Sequence, residues 1–336
     1  MTFTVVMPAY NVEAFLPESL ANLRAQSFTD WEAVVVDDGS TDGTLARARE
    51  IAAVDPRIRV VSQPNGGVSR ARNRGLAEAK GDWIIWLDAD DAYVDGALDR
   101  IASLIAEHPD CACLQFPYLA LDPETGSRTP CVPRAYSEFG GRSYSGAEAF
   151  ELLYSRRGVA GQNWQPWRFA YRRDVLPRFR DGVIHEDVDV LPLHMSALER
   201  VFIARDPLYI YRLAHAGATT ATFTPRRVRD ILGVVDHLSD ELNRTSLPAS
   251  SVRGFRSMIA FNLFGYFLAS AGFPDPDRTE LLAAFAARRA WLLAISWPPR
   301  TAWLKRLLLR VLGVRLTGRL IGWLTSYHGF HKLTPR

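Results

Sequence analysis

Residues 31–44 read WEAVVVDDGSTDGT, and the organisation of the chain is legible from them. Trp31–Val36 is a short, Val-rich run with one charge, the pattern of a strand buried on both faces. It stops at Asp37-Asp38-Gly39-Ser40, four turn-forming residues, and Asp42-Gly43-Thr44 opens a helix expected over Leu45–Ala53. Upstream, TFTVVMPA at 2–9 predicts another strand. A helix follows over Val12–Gln26, with Asn11 as N-cap and Leu16, Leu20 and Leu23 on one face. Downstream, Ile58–Val61 predicts a third strand, closed by Pro64-Asn65-Gly66-Gly67. Val68–Ala79 is helical and Trp83–Leu87 a fourth strand. Strand and helix alternate, which implies an α/β fold with a mainly parallel sheet and right-handed crossovers.

In such sheets ligands bind at the carboxyl ends of the strands. Those ends are Pro8–Asn11, Asp37–Thr41, Gln63–Asn73 and Asp88–Asp91, the most polar and Gly-rich stretches nearby. No GxGxxG follows the first strand, so the dinucleotide fingerprint is missing. Asp88-Ala89-Asp90-Asp91 crowds three carboxylates into one turn, unfavourable unless a cation sits there. Hard oxygen donors suit Mg²⁺ or Mn²⁺ bridging substrate phosphates. The plain alternative is a solvated acidic turn ahead of a helix over Tyr93–Ala106. Asp37 and Asp38 can accept from a nucleobase N–H or ribose hydroxyls, or merely shape a turn. Gly66 and Gly67 expose N–H groups at a helix start, which suits phosphate. Arg70 and Arg72 point apart on that helix, so one of them reaches a ligand. Farther along, Glu186-Asp187 offers a general base, or a surface acidic run.

At this point the set VVMPAYN, VVVDDGSTDGT, NGGVSRARNRGL, GDWIIWLDADD and HEDVD resembles the family 2 glycosyltransferases of bacterial polysaccharide synthesis, inverting enzymes of the GT-A fold. WRFAYRRDVL ahead of HEDVDVLP is similar to their acceptor half, and Tyr209–Arg212 with His215 to their closing loop. The resemblance covers about residues 3–220 and implies roles for individual residues. Pro8, Ala9 and Tyr10 line a nucleobase pocket, and Asp38 binds the base with Asp37 beside it. Arg70 or Arg72 lies near the diphosphate, and Gly66 and Ala89 also belong to the donor-binding set. Asp88 and Asp90 form the DxD pair for Mn²⁺ or Mg²⁺, Asp90 being the direct ligand. Asp187 is the base, oriented by Glu186, and Arg212 and His215 contact diphosphate or metal. A nucleotide-diphosphate sugar is then the donor, a UDP-sugar being expected, and a saccharide or lipid-linked saccharide the acceptor.

The expected organisation is a catalytic GT-A domain at 1–222, with a nucleotide-sugar half (1–110) and an acceptor half (111–222), and a helical, basic region at 223–336. Pro117–Tyr144 is turn-rich and reads as a lid or acceptor loop. Trp164, Trp167 and Tyr171 offer flat faces to a sugar, or are core aromatics.

Composition narrows the remaining classes. The chain has 336 residues, 48% hydrophobic and 23% charged, which excludes a disordered chain. Cys111, Cys113 and Cys131 are too few for a disulfide scaffold or zinc site and point to a reducing compartment. The start lacks the basic region and cleavage site of a signal peptide, and Ser257–Phe273 reads as a buried or membrane-docked helix rather than a span. Cytoplasmic residence is expected. The net charge of +3 is uneven. No Asp or Glu follows Glu280, and ten Lys or Arg do, leaving 30 basic against 37 acidic residues ahead of them. On a helical wheel of residues 300–324, Trp303, Leu304, Leu307, Leu308, Val311 and Leu312 form one half. Lys305, Arg306 and Arg310 form the other, with Leu309 as the exception. That pattern suits an anionic membrane surface, or a helix docked on the acidic body. An apolar face has no use on a nucleic-acid duplex. Two other classes stay open: a nucleotide-sugar or polysaccharide binding module without catalysis, and a transferase with a small soluble acceptor.

Overall fold

In the computed structural model, residues 1–156, 163–213, 223–296, 306–307 and 309–319 are described. The chain divides into two units. The first comprises Met1–Leu153 and Gln162–Thr219, the second Tyr154–Gly161 and Thr220–Arg336.

The first unit opens with the expected alternation: β1 (Phe3–Ala9), α1 (Leu16–Arg24), β2 (Trp31–Asp37), α2 (Thr44–Ala52), β3 (Ile58–Ser62), α3 (Val68–Glu78) and β4 (Trp83–Trp86). β2 pairs parallel with β1 and β3, and β1 with β4. The apolar runs that predicted these strands are its core: Val5, Val6, Val34, Val35, Ile84 and Ile85 are fully buried. α3 lies close on this sheet because Gly75 has no side chain, and a Cβ there would overlap Val6. One local expectation is overturned. Asn11 does not cap α1, whose N-cap is Phe15. Its φ is 52°, and its side-chain Oδ1 instead accepts from the Thr41 N–H at 2.8 Å. Asn tolerates the left-handed region because its short amide bonds nearby backbone.

The rest of the unit is built from shorter pieces: β5 (Ala92–Tyr93), α4 (Ala97–Glu107), β6 (Cys113–Gln115), β7 (Tyr118–Leu121), β8 (Arg128–Cys131), α5 (Arg134–Phe139), β9 (Arg142–Tyr144), α6 (Gly146–Phe150), β10 (Phe169–Arg172), α7 (Glu186–Ser196), β11 (Val201–Ile203) and β12 (Tyr209–Arg212). The main sheet runs β3-β2-β1-β4-β10-β6-β11-β9. β10 is antiparallel to both neighbours, which makes the sheet mixed. A second sheet has the order β5-β12-β7-β8. Pro117–Tyr144, expected as a loop, therefore contributes β7, β8, α5 and β9. Pro130 sits in β8, an edge strand, where a missing N–H costs no ladder bond.

The second unit is helical: α8 (Pro225–Arg244), α9 (Ala249–Ala271), α10 (Asp277–Ala287) and α11 (Arg289–Leu293). α9 buries Phe255, Ile259, Leu263 and Phe267, a stripe at four-residue spacing. Among the described residues no helix is long and apolar enough to cross a membrane. Within 306–307 and 309–319, Leu309, Val314 and Thr317 are buried, while Leu307, Val311, Leu316, Arg310, Arg315 and Arg319 are exposed. Leu309, the exception on the wheel, is thus the residue turned inward. Trp303, Leu304, Lys305 and Leu308 lie outside the described residues.

Candidate active site

The carboxyl ends of β1, β2 and β3 are joined by their own polar residues. Asp37 and Asp38, at the end of β2, are both buried. Asp37 accepts from the Ser62 hydroxyl at 2.9 Å and the Ser40 N–H at 3.3 Å. Asp38 Oδ1 accepts from Gln63 at 2.7 Å and the Gly66 N–H at 3.0 Å, and its Oδ2 from the Gly67 N–H at 2.8 Å. This corrects the expectation for Gly66: its N–H is engaged by Asp38 and not presented to a phosphate. Gly39 permits the approach, with φ 72° and a Cβ position only 2.7 Å from the Asn65 nitrogen. The remainder of the DDGSTDGT stretch holds the loop after β1. The Asn11 N–H donates to Ser40 at 3.1 Å, Val12 to Thr44 at 2.8 Å and Glu13 to Asp42 at 3.2 Å. Of the expected pocket residues, Ala9 is buried, Pro8 half-buried and Tyr10 exposed.

Helix α3 joins this edge to a segment more than a hundred residues away. The Ser69 hydroxyl donates to the Val183 carbonyl at 2.7 Å, and the Asn73 amide exchanges two bonds with the Phe179 backbone at 2.7 and 3.0 Å. Arg72, between them on the same helical face, is buried. Its Nη1 donates to Glu186 Oε1 and its Nη2 to Asp88 Oδ1 at 3.3 Å. Arg70 points to the other side, is exposed, and forms no ion pair with a described residue. The two arginines therefore do different things: one knits carboxylates together, the other faces solvent beside Gly66.

In the Asp88–Asp91 turn the three carboxylates also part company. Asp88 and Asp90 are half-buried, with Ala89 buried between them, whereas Asp91 is buried. Asp91 turns inward, its Oδ2 accepting from the Tyr209 hydroxyl at 2.9 Å and its Oδ1 from the Arg212 N–H at 2.8 Å. Arg212 lies on the turn, its Nε donating to the Asp90 carbonyl at 2.9 Å and its Nη2 to Glu18 at 2.8 Å. Burial, with the charge of Asp90, raises the Asp88 pKa, and the Arg72 cation opposes the shift. Asp91 is pushed up further by burial and both neighbours. Two half-buried hard-oxygen donors, Asp88 and Asp90, fit Mg²⁺ or Mn²⁺, ions that leave several positions to water and phosphate. No group of three or more His, Cys, Asp or Glu among the described residues is gathered to hold a metal ion.

Glu186 and Asp187 begin α7. Glu186 is buried, pairs with Arg72 through Oε1, and its Oε2 has no partner among the described residues. Asp187 is half-buried and accepts from the Val188 N–H at 2.7 Å. Burial pushes its pKa up to about 6, against the Val188 N–H and the Arg72 cation. A carboxyl poised there takes up and releases a proton near neutrality.

Two expectations fare otherwise. Trp164 and Trp167 are buried. Trp167 stacks on Tyr209 at 4.6 Å and Tyr211 at 5.4 Å between ring centroids, and is 5% exposed. The Trp167 indole is thus covered by Tyr209 and Tyr211 and is a packing element, and Trp164 is only 7% exposed. His215 lies outside the described residues. Sequence reasoning gave Ser69, Asn73 and Tyr209 no role and did not separate Asp91 from Asp88 and Asp90, because their partners are far apart along the chain.

With this geometry in hand, comparisons place the chain among known proteins. The sequence model described as Glycosyl transferase family 2 matches residues 4–174. The uncharacterized glycosyltransferase EpsJ of Bacillus subtilis is 32% identical over 231 residues, 66% of this chain and 64% of its own length. The chain spans less than two thirds of the length of the first curated relatives it matches. Among solved structures, residues 1–349 of S. aureus TarS, in complex with UDP-GlcNAc, superpose with a TM-score of 0.67 at 19% identity, covering 98% of this chain and 92% of that one. The mannosyltransferase PcManGT of Pyrobaculum calidifontis, in complex with GDP-Man and Mn²⁺, gives 0.53 at 18% identity, covering 96% and 86%. The likeness to these structures concerns the fold.

Proposed function

The chain belongs to glycosyl transferase family 2, and from that premise we propose that it moves a sugar from a nucleotide-diphosphate sugar to an acceptor hydroxyl, with inversion, in the synthesis of a cell-surface polysaccharide. The observation that carries the proposal is Arg72. A single buried guanidinium joins Asp88, at the end of β4, to Glu186, at the start of α7. It thereby sets Asp187, the candidate base, beside the candidate metal turn.

The chemistry assigned to the chain's residues is as follows. Tyr10 and Asp38 receive the nucleobase, Asp38 Oδ2 retaining a lone pair beyond its bond to Gly67. Arg70 faces the diphosphate and meets negative charge as it develops on the leaving oxygen. Asp88 and Asp90 would hold Mn²⁺ or Mg²⁺, which supplies further charge neutralisation to the diphosphate. Asp187 takes the proton of the acceptor hydroxyl while the acceptor oxygen bonds the anomeric carbon. The bond from that carbon to the diphosphate breaks on the opposite face, so the configuration inverts. A UDP-sugar is the first donor to test, because TarS was solved with UDP-GlcNAc. The test is a panel of nucleotide-diphosphate sugars with Mn²⁺ and saccharide acceptors, scored for released nucleoside diphosphate. Release that Asp187→Asn slows by about 10²-fold supports the proposal. Donor binding with release no faster than in Asp187→Asn, for every donor and acceptor, would identify a binding module instead.

The second unit supports a location for that reaction. Leu307, Val311 and Leu316 are exposed beside Arg310, Arg315 and Arg319, none of which pairs with a described acidic residue. Exposed apolar side chains among cations suit the anionic face of a membrane, where each basic residue contributes about 1 kcal/mol. We propose peripheral attachment there, at the cytoplasmic face, with a lipid-linked acceptor. Vesicles containing phosphatidylglycerol should sediment the protein at low salt, and the triple change Arg310→Glu, Arg315→Glu, Arg319→Glu should release it. Equal sedimentation of the two proteins refutes the attachment.

A further inference from the structure

The Asp88–Asp91 turn is short, acidic and crowded, so something must fix its shape before a cation arrives. Its two ends converge on one group. The Tyr209 hydroxyl donates to Asp91 Oδ2 at 2.9 Å and accepts from the Asp88 N–H at 3.1 Å. Asp91 is thereby held away from Asp88 and Asp90, and the Asp88 peptide is oriented. Tyr209 itself is fully buried. The Trp167 ring lies on its face at 4.6 Å and 10°, and the Tyr93 ring meets it edge-on at 5.5 Å and 90°. The hydroxyl therefore has almost no freedom to move. β12 also carries Arg212, whose N–H and Nε bind Asp91 and the Asp90 carbonyl.

We infer that Tyr209 is a positioning residue for the metal turn: its hydroxyl, clamped by Trp167 and Tyr93, holds Asp91 inward so that Asp88 and Asp90 alone present their carboxylates as a preset pair. This rests on the reading of Asp88 and Asp90 as the metal-holding residues. Asp91 is then a strut and not a ligand, and Trp167 acts through the tyrosine it stacks on. A preset pair binds a cation without first rearranging, and losing one buried bond to the Asp91 carboxyl removes much of that advantage.

Tyr209→Phe keeps the stacked ring and deletes only the hydroxyl. Binding of Mn²⁺ is read by the loss of the free-ion electron paramagnetic resonance signal, with UDP present. Binding should weaken by about 10-fold, the worth of one buried hydrogen bond. In turnover, the Mn²⁺ concentration for half activation should rise equally, with kcat recovered at saturating Mn²⁺. The matched control is Tyr93→Phe. It deletes a neighbouring buried hydroxyl, one that donates to the Trp86 carbonyl at 2.7 Å and does not touch the turn. It should lower the melting temperature and leave Mn²⁺ affinity in place. Should Tyr209→Phe bind Mn²⁺ like the wild type, or both variants weaken it alike, the positioning role is overturned. Failure of the wild type itself to bind Mn²⁺ with UDP strikes instead at the assignment of Asp88 and Asp90.

Discussion

Replacing Arg72 with leucine tests the link between the candidate metal turn and the helix that carries the candidate base. The guanidinium is 6% exposed and faces Glu186, 5% exposed, on one side and Asp88, 29% exposed, on the other. Removing one partner of a buried ion pair costs ~3–5 kcal/mol, because the other charge stays buried and uncompensated. Asp88 is open enough for water to replace part of what it loses, so the lower end, about 3 kcal/mol, is expected. At ~2–4 °C per kcal/mol for domains of this size, the melting temperature should fall by about 6–12 °C. A second consequence separates this from simple core damage. The Arg72 cation is one of the groups that hold the Asp187 pKa down against burial. Without it Asp187 rises above about 6, and the acid limb of the rate profile moves to higher pH. Thermal melts followed by tryptophan fluorescence give the first number, and nucleoside diphosphate release between about pH 5 and 8 gives the second. Arg72→Lys keeps the charge but cannot span both carboxylates as a fork does, and should fall between the two. A melting temperature within ~2 °C of the wild type, with an unmoved pH limb, would refute the bridge.

Asp187→Asn should leave donor binding intact and lower transfer by about 10²-fold, the weight of a positioned general base. In the wild type, log(kcat/KM) should climb with unit slope up to about pH 6 and then level, because Asp187 accepts a proton only when ionised; a flat profile contradicts that role. Asp38→Ala leaves the Gln63 amide and the Gly66 and Gly67 N–H groups without their acceptor. At ~1–3 kcal/mol for each buried group left unmade, it should lower the melting temperature as well as nucleotide affinity, which calorimetry with UDP separates; weaker binding at an unchanged melting temperature means the carboxylate serves the ligand alone.

The four strands β1–β4 are legible because each is a short, mostly apolar run bounded by Gly, Pro, Asp or Asn, and its helix follows at once. The second sheet is not. β5 and β12 have two and four residues and pair across more than a hundred positions. No local periodicity survives at that length. The same distance hides the partners of the site residues. Seen in sequence, Asp91 is the third of three equivalent carboxylates; only Tyr209 and the Arg212 N–H distinguish it. Arg70 and Arg72 are separable in principle by their ~200° offset on a helix, yet which one turns inward depends on Glu186. Trp167 alternates with Phe169 and Tyr171 at the entry to a buried strand, and an aromatic at every second position there is a mark of packing in the sequence itself.

The NGGVSRARNRGL stretch shows why so many of its residues are exacting at once. Its first turn faces back along the sheet edge, where Gly66 and Gly67 cap the Asp38 carboxylate. Its inner face, Ser69, Arg72 and Asn73, carries the residue 179–186 segment by three side chains at i, i+3 and i+4. A third direction, that of Arg70, is left to solvent. Because a helix turns 100° per residue, the three sets of contacts fix one another's register. Asp38 sets where the helix starts, and the start sets which arginine reaches Glu186. The candidate base on α7 is therefore located relative to the carboxyl ends of β1–β3 by a single helix. That rigid link, more than any one carboxylate, brings residues separated by about 150 positions into one candidate site.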